Sequence, residues 1–196
     1  MAVNRKYLIL YMSMGCLLSL SAIAQKSKRS EDREWKQDTI IGNNVFRKHS
    51  NWLSVGGGVA KNSKLANAQF AGGVDYNFHV TKEYFQLGLF LSGDKFGNYN
   101  NYQFHLCYGK RIESTSVNFS YFGGLSTSVF FEYIGSKPKD KSVNDIGFYV
   151  NAQLIKKVKF DIGIGGSLFA DVNFHQSVIG AKIDVYFSGA YKGKVE

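Results

Sequence analysis

The chain has 196 residues, 24 of them Lys or Arg and 15 Asp or Glu, so its formal net charge is +9. Such a balance suits anionic lipid head groups, glycans or nucleic acid. Of its two cysteines, Cys16 and Cys107, the first lies in a segment that export removes, which excludes an intramolecular disulfide and leaves an oxidising compartment uncontradicted.

Arg5 and Lys6 precede an apolar run over residues 7–20, and the stretch closes on Ala22, Ile23 and Ala24. This pattern predicts a secretory signal peptide over 1–24. As a membrane helix the run is short against the ~20 apolar residues a bilayer needs, and polar residues follow at once. A lipoprotein reading would use Cys16, but Ser13 stands where Leu is expected, and cleavage there would leave the apolar residues 17–24 on the mature chain. Loss of Arg5 and Lys6 leaves 22 basic against 15 acidic residues, and export argues against nucleic acid as the partner. Residues 25–50 lack alternation and are dense in charge (Lys26, Lys28, Arg29, Glu31, Asp32, Arg33, Glu34, Lys36), which predicts a polar periplasmic arm.

From 51 to 191 one pattern repeats: segments of about ten residues with apolar side chains at every second position, separated by turns, as in a transmembrane β-barrel. In residues 68–80 one set is Ala68, Phe70, Gly72, Val74, Tyr76, Phe78 and Val80, and the other is Gln69, Ala71, Gly73, Asp75, Asn77 and His79. Successive strand residues point to opposite faces, so the segment has one apolar and one polar face. Eight strands are expected, at 52–60, 68–80, 85–92, 102–111, 117–131, 146–155, 159–170 and 178–190. That even number is a known minimum for closing a membrane barrel. The connections alternate long and short: 61–67, then 81–84; 93–101, then 112–116; 132–145, then the Lys156–Lys157 pair; and last 171–177. Long loops on one side with short turns and both chain ends on the periplasmic side is the asymmetry of outer-membrane barrels. Pro138 falls in the longest loop, where it breaks no ladder, and residues 192–196 are read as a tail.

Periodicity alone does not say which face points outward, so a soluble barrel with an apolar interior is the competing reading. The polar set also holds Gly73, Gly88, Gly124, Gly163 and Gly165 with Phe90, Phe122 and Phe169, a mixture suited to filling a narrow interior. Phe70, Val74, Leu87, Leu89, Phe104, Phe119, Ile162 and Ile164 are therefore expected to face lipid. Asp75, Gln103, Asn151, Asp161 and Asp184 are expected inside with Arg111, Lys182, His79 and His105, as a polar network of opposite charges. Trp52, Tyr84, Phe85, Tyr102, Phe131, Tyr133 and Phe160 near strand ends are read as interfacial girdles.

The strand count, the loop asymmetry and a last strand carrying Gly180, Ile183, Val185, Tyr186 and Phe187 resemble the small eight-stranded outer-membrane barrels of the OmpA and OmpX type. The resemblance covers 51–191 and implies an all-β, closed antiparallel eight-stranded transmembrane barrel in the cell outer membrane. It implies outer-membrane lipid, lipopolysaccharide and the barrel-assembly machinery as partners.

Chemistry-bearing motifs are sparse. His175 and Ser177 lie two apart, a spacing similar to that in outer-membrane lipid A deacylases, but Val178 stands where that family has Asn; Asp171 and Asp184 are the acids near in sequence. The 163–166 glycine run continues into a strand and is no phosphate cradle. His49, His79, His105 and His175 are scattered singly, so no metal site is expected, and no cofactor. Cys107 falls on an inward position and reads as a small buried side chain. Lys61, Lys64, Lys95, Lys137, Lys139 and Lys141 lie in the long loops, where anionic glycolipid or a partner surface would be met. The expectation is a structural or surface-binding protein without catalysis; the alternative is a lipid A deacylase-like hydrolase using Ser177 and His175.

Overall fold

A computed structural model describes residues 38–93, 99–134, 137–138 and 143–195; of these, Tyr99, residues 132–134, Lys137, Pro138 and Val143 are described by backbone alone. The strands are β1 (Asp38–Ile41), β2 (Asn44–Arg47), β3 (Trp52–Asn62), β4 (Ala68–Val80), β5 (Glu83–Gly93), β6 (Tyr99–Glu113), β7 (Val117–Ile134), β8 (Lys137–Pro138), β9 (Val143–Lys159), β10 (Ile162–Asn173), β11 (Ser177–Ser188) and β12 (Tyr191–Lys194).

Eight of these, β3 to β7 and β9 to β11, pair antiparallel with their neighbours. The ring closes through β11 and β3, from Val178 opposite Asn62 to Ser188 opposite Trp52. No edge is left, which a barrel in lipid requires because an unpaired ladder would strand donors and acceptors. Register follows the alternation. Phe70, Val74, Leu87, Leu89, Phe104, Ile162 and Ile164 all point outward and are exposed, and Phe119 shares the outward parity of its exposed neighbours Val117 and Tyr121. Asp75, Gln103, Asn151 and Asp184 are buried inside. The apolar side chains are thus on the outer wall and the polar ones form the core, the inverse of a soluble barrel.

Four expectations are corrected. Trp52 and Tyr84 are 1% exposed and lie inside, because they share inward parity with Ser54 and Gln86; only strand-end position had suggested a girdle. Phe160 is buried against Phe46, while Phe85, Tyr102 and Phe131 stay on the outer wall. The turn expected at Lys156 and Lys157 falls instead at Phe160 and Asp161, since β9 runs on to Lys159 through an irregularity beside Ile162. Lys157 can face inward there because the Glu113 carboxylate receives its ammonium, and Asp161 sits in the turn, half-buried, rather than in the interior. Finally, part of the expected arm and tail is ordered: β1, β2 and β12 form a three-stranded sheet at the turn end, held by Phe46 against Phe160 and Tyr191 and by the Arg47 N–H on the Ala190 carbonyl at 2.7 Å.

Candidate functional site

Side chains meet in three tiers inside the barrel. At the turn end the Arg111 guanidinium stacks 4.2 Å from the Trp52 ring centroid. It donates to Asn118 Oδ1 (2.7 Å), the Ser50 carbonyl (2.8 Å), Glu113 (2.7 Å) and the Tyr186 hydroxyl (2.8 Å). Glu113 also takes Lys157 and the backbone N–H of His49. One buried carboxylate thus faces two buried cations, and hydrogen bonds from neighbouring strands fill the remaining valences, the condition under which burying charge is tolerated. His49 itself lies outside the barrel strands, and burial holds its imidazole below the ordinary pKa of 6.5, against the pull of Glu113.

In the middle tier the Asp75 carboxylate accepts from His105 Nε2 (3.0 Å) and Lys182 Nζ (3.0 Å), with all three side chains at most 1% exposed. His105 stacks on Tyr149 at 4.0 Å between centroids. Gly88 makes this pairing possible: a Cβ there would lie 2.2 Å from both Asp75 Oδ1 and His105 Nε2. Below it Asp184 accepts from Gln153 at 3.1 Å, and Gln153 also takes the Ser54 hydroxyl. Cys107 is 2% exposed, as expected. His79 keeps its inward parity but sits at the rim, bonded to Asn51 at 3.0 Å.

At the loop end Asp171 accepts from Ser126, Ser128 and Asn173. The His175 imidazole stands 3.3 Å from Asp145, which also accepts the His175 backbone N–H at 2.8 Å. Nothing in the sequence pairs Asp145 with a residue 30 positions away across adjacent hairpins, and Asp171 and Asp184, the acids near His175 in sequence, are bonded elsewhere. Ser177 approaches Ser63 through its backbone N–H (3.0 Å) and makes no hydrogen bond to His175. Lys61 reaches the Ala66 carbonyl and Lys64 is exposed. The other loop lysines, Lys95, Lys137, Lys139 and Lys141, lie outside the residues whose side chains are described. Among the described residues no group of His, Cys, Asp and Glu could hold a metal ion.

No protein-family model matches the chain, and no curated protein matches it. Solved structures do. Neisserial surface protein A aligns at TM-score 0.57 and 10% identity over 70% of this chain and 95% of its own. The attachment invasion locus protein Ail of Yersinia pestis aligns at 0.51 and 10%, over 73% and 98%. The N-terminal β-barrel domain of Pseudomonas aeruginosa OprF aligns at 0.51 and 11%, over 71% and 98%. The chain has the fold of these small eight-stranded outer-membrane β-barrels.

Proposed function

We propose that the protein is an integral outer-membrane barrel whose role is to support the envelope and to present its long loops for binding, without catalysis. The observation that carries this reading is the continuous apolar outer wall, where Leu89 is 57%, Ile164 51% and Leu168 67% exposed, around a core of buried polar side chains. In water that wall would be an aggregation surface; in hydrocarbon it is solvated. The long loops then face outward from the cell with Lys61 and Lys64 near lipopolysaccharide phosphates, and a signal peptide over 1–24 delivers the chain to the envelope. The last strand engages the assembly machinery. Flotation of the folded chain with vesicles, followed by lysine-directed cross-linking on intact outer membranes, tests it: recovery in the soluble periplasmic fraction without detergent refutes the membrane assignment.

One observation favours the hydrolase alternative, the Asp145 carboxylate behind His175. The same geometry counts against it, because a serine becomes a nucleophile only when a base within about 3 Å takes its proton, and among the described residues no hydrogen bond joins the Ser177 hydroxyl to the His175 ring.

A further inference from the structure

The three-stranded sheet at the turn end has two outer strands, and the sequence treats them differently. β12 carries Lys192 and Lys194, and its pairing with β2 is broken by an irregularity between Tyr191 and Gly193. Lysines and a bulge are means by which an edge is kept from recruiting another strand. β1 has neither lysine nor proline, and among the described residues it pairs with β2 alone. Its Ile40 is 63% exposed.

The ladder fixes where the backbone of β1 points. The Arg47 N–H is spent on the Ala190 carbonyl across the sheet, so Arg47 and Asp38, which lie opposite each other, do not form a hydrogen-bonded pair. Bonded and non-bonded pairs alternate in an antiparallel ladder. Thr39 with Phe46 and Ile41 with Asn44 are then the bonded pairs, and the second of these closes a two-residue turn through Gly42 at φ 60°. Asp38 and Ile40 therefore direct their N–H and C=O groups away from β2, along an open edge. Lys192 neutralises Asp38 at 2.7 Å, and the three strands hold no other acid. Arg47, Lys48 and Lys194 are exposed around the edge, so its surroundings are positive.

We propose that β1 takes an extended, acidic segment of another polypeptide as a further strand of this sheet. The backbone groups of Asp38 and Ile40 hold it, an apolar side chain of the segment packs on Ile40, and the surrounding cations select its charge. A second copy of the sheet is a poorer occupant because it brings the same cations. So is the chain's own arm, since residues 25–36 carry five basic against three acidic residues. The edge does not depend on the barrel being in lipid; that the partner is periplasmic rests on the outer-membrane reading.

The test is fluorescence anisotropy of a labelled peptide of about six residues, the length of an ordinary strand, alternating Val and Glu and titrated with the full chain refolded in detergent micelles. Saturable binding is expected. Ile40→Pro should weaken it about tenfold, because it removes an outward donor that the β1–β2 ladder does not use, and Ile40→Val should keep it. Methylation of the peptide's own pairing amides should abolish binding to the wild type, a readout that does not depend on how any variant folds. A peptide alternating Val and Lys should bind more weakly, with a difference that shrinks as salt rises. Absence of saturation, or binding indifferent to methylation of the peptide, overturns strand addition. Equal binding of the two peptides overturns the acidic partner. Self-association abolished by Ile40→Pro would give the edge to a second copy, and binding that appears only after deletion of residues 25–36 would give it to the arm; either overturns the proposal. Failure of the chain to float with vesicles would overturn the membrane reading and leave the edge standing.

Discussion

Replacing Lys182 by Met breaks the tie between β11, β4 and β6 at the centre of the lumen. Lys182 and Asp75 stand 3.0 Å apart at 1% exposure each. At that distance two charges attract by about 5 kcal/mol if the effective dielectric constant is ~20, but removing both ions from water offsets much of this, so the net value of the pair is small. The cost of removing one partner is not small. Met keeps most of the aliphatic stem beside Phe169 and leaves the Asp75 carboxylate with His105 alone, a loss of about 3 to 5 kcal/mol. Asp75→Asn together with Lys182→Met neutralises the stranded ion and keeps a hydrogen bond to His105, so the double variant should lose only about 1 to 2 kcal/mol. Urea titration of the barrel refolded in vesicles, followed by tryptophan fluorescence, measures the cycle. A Lys182→Met cost below about 1 kcal/mol, or a double variant no more stable than the sum of the singles, would refute the argument that an unpaired buried charge dominates this core.

Leu89→Arg places a charge on the lipid-facing wall and should cost about 2 to 4 kcal/mol if the site lies near the midplane, read as a lower folded fraction in vesicles by the heat-dependent gel shift; tolerance of the arginine would favour a soluble barrel. Gly88→Ala drives a methyl into the Asp75–His105 bond and should destabilise by roughly 1 to 3 kcal/mol, whereas Gly72→Ala, whose Cβ would have its nearest neighbour at 3.7 Å on the outer wall, should be close to neutral in the same titration. Burial lowers the His49 pKa in the fold, so the folded state binds fewer protons than the unfolded one just below pH 6.5. The stability of this contact is therefore complete above about pH 6.5 and falls as acid protonates the unfolded form first. Hydrogen exchange of residues 44–50, corrected for intrinsic rates, should speed up between pH 7.5 and 5, and His49→Gln should abolish that dependence. Ser177→Ala and His175→Ala should leave the lipid A acylation pattern of the host unchanged by mass spectrometry; a Ser177-dependent loss of an acyl chain would promote the hydrolase.

The barrel was legible because strand parity is a strict rule: once Phe70 and Val74 are outside, Asp75 must be inside, and the same step assigns Gln103, Asn151 and Asp184. Parity outranks position along the strand. A place near a strand end suggests a girdle for Trp52 and Tyr84, but Ser54 and Gln86 two residues on fix both as inward. The Lys156–Lys157 pair resembled a turn because two adjacent lysines disfavour a strand with a buried face, and only a partner from another hairpin, Glu113, reverses that preference. Such long-range neutralisation has no local signal. Nor has the sheet of β1, β2 and β12, whose strands are four residues each and come from opposite ends of the described chain; Ile40, Ile41, Val45, Phe46 and Tyr191 are too few and too scattered to show a strand period.

The Arg111 tier bears on what the interior can do. Its guanidinium is bonded to the segment before β3 through Ser50, to β7 through Asn118 and to β11 through Tyr186, while its face covers Trp52. Trp52, Tyr84 and Tyr186 are each at most 1% exposed, so this level of the lumen is filled by three large rings around one cation. A solute passing along the axis would have to break those hydrogen bonds and unstack the ring, each step stranding a buried ion or donor. Eight strands enclose an interior just wide enough for side chains, and here the side chains at the turn end are tied together rather than merely packed. This level of the lumen therefore has no room for a solute alongside the three rings and the guanidinium.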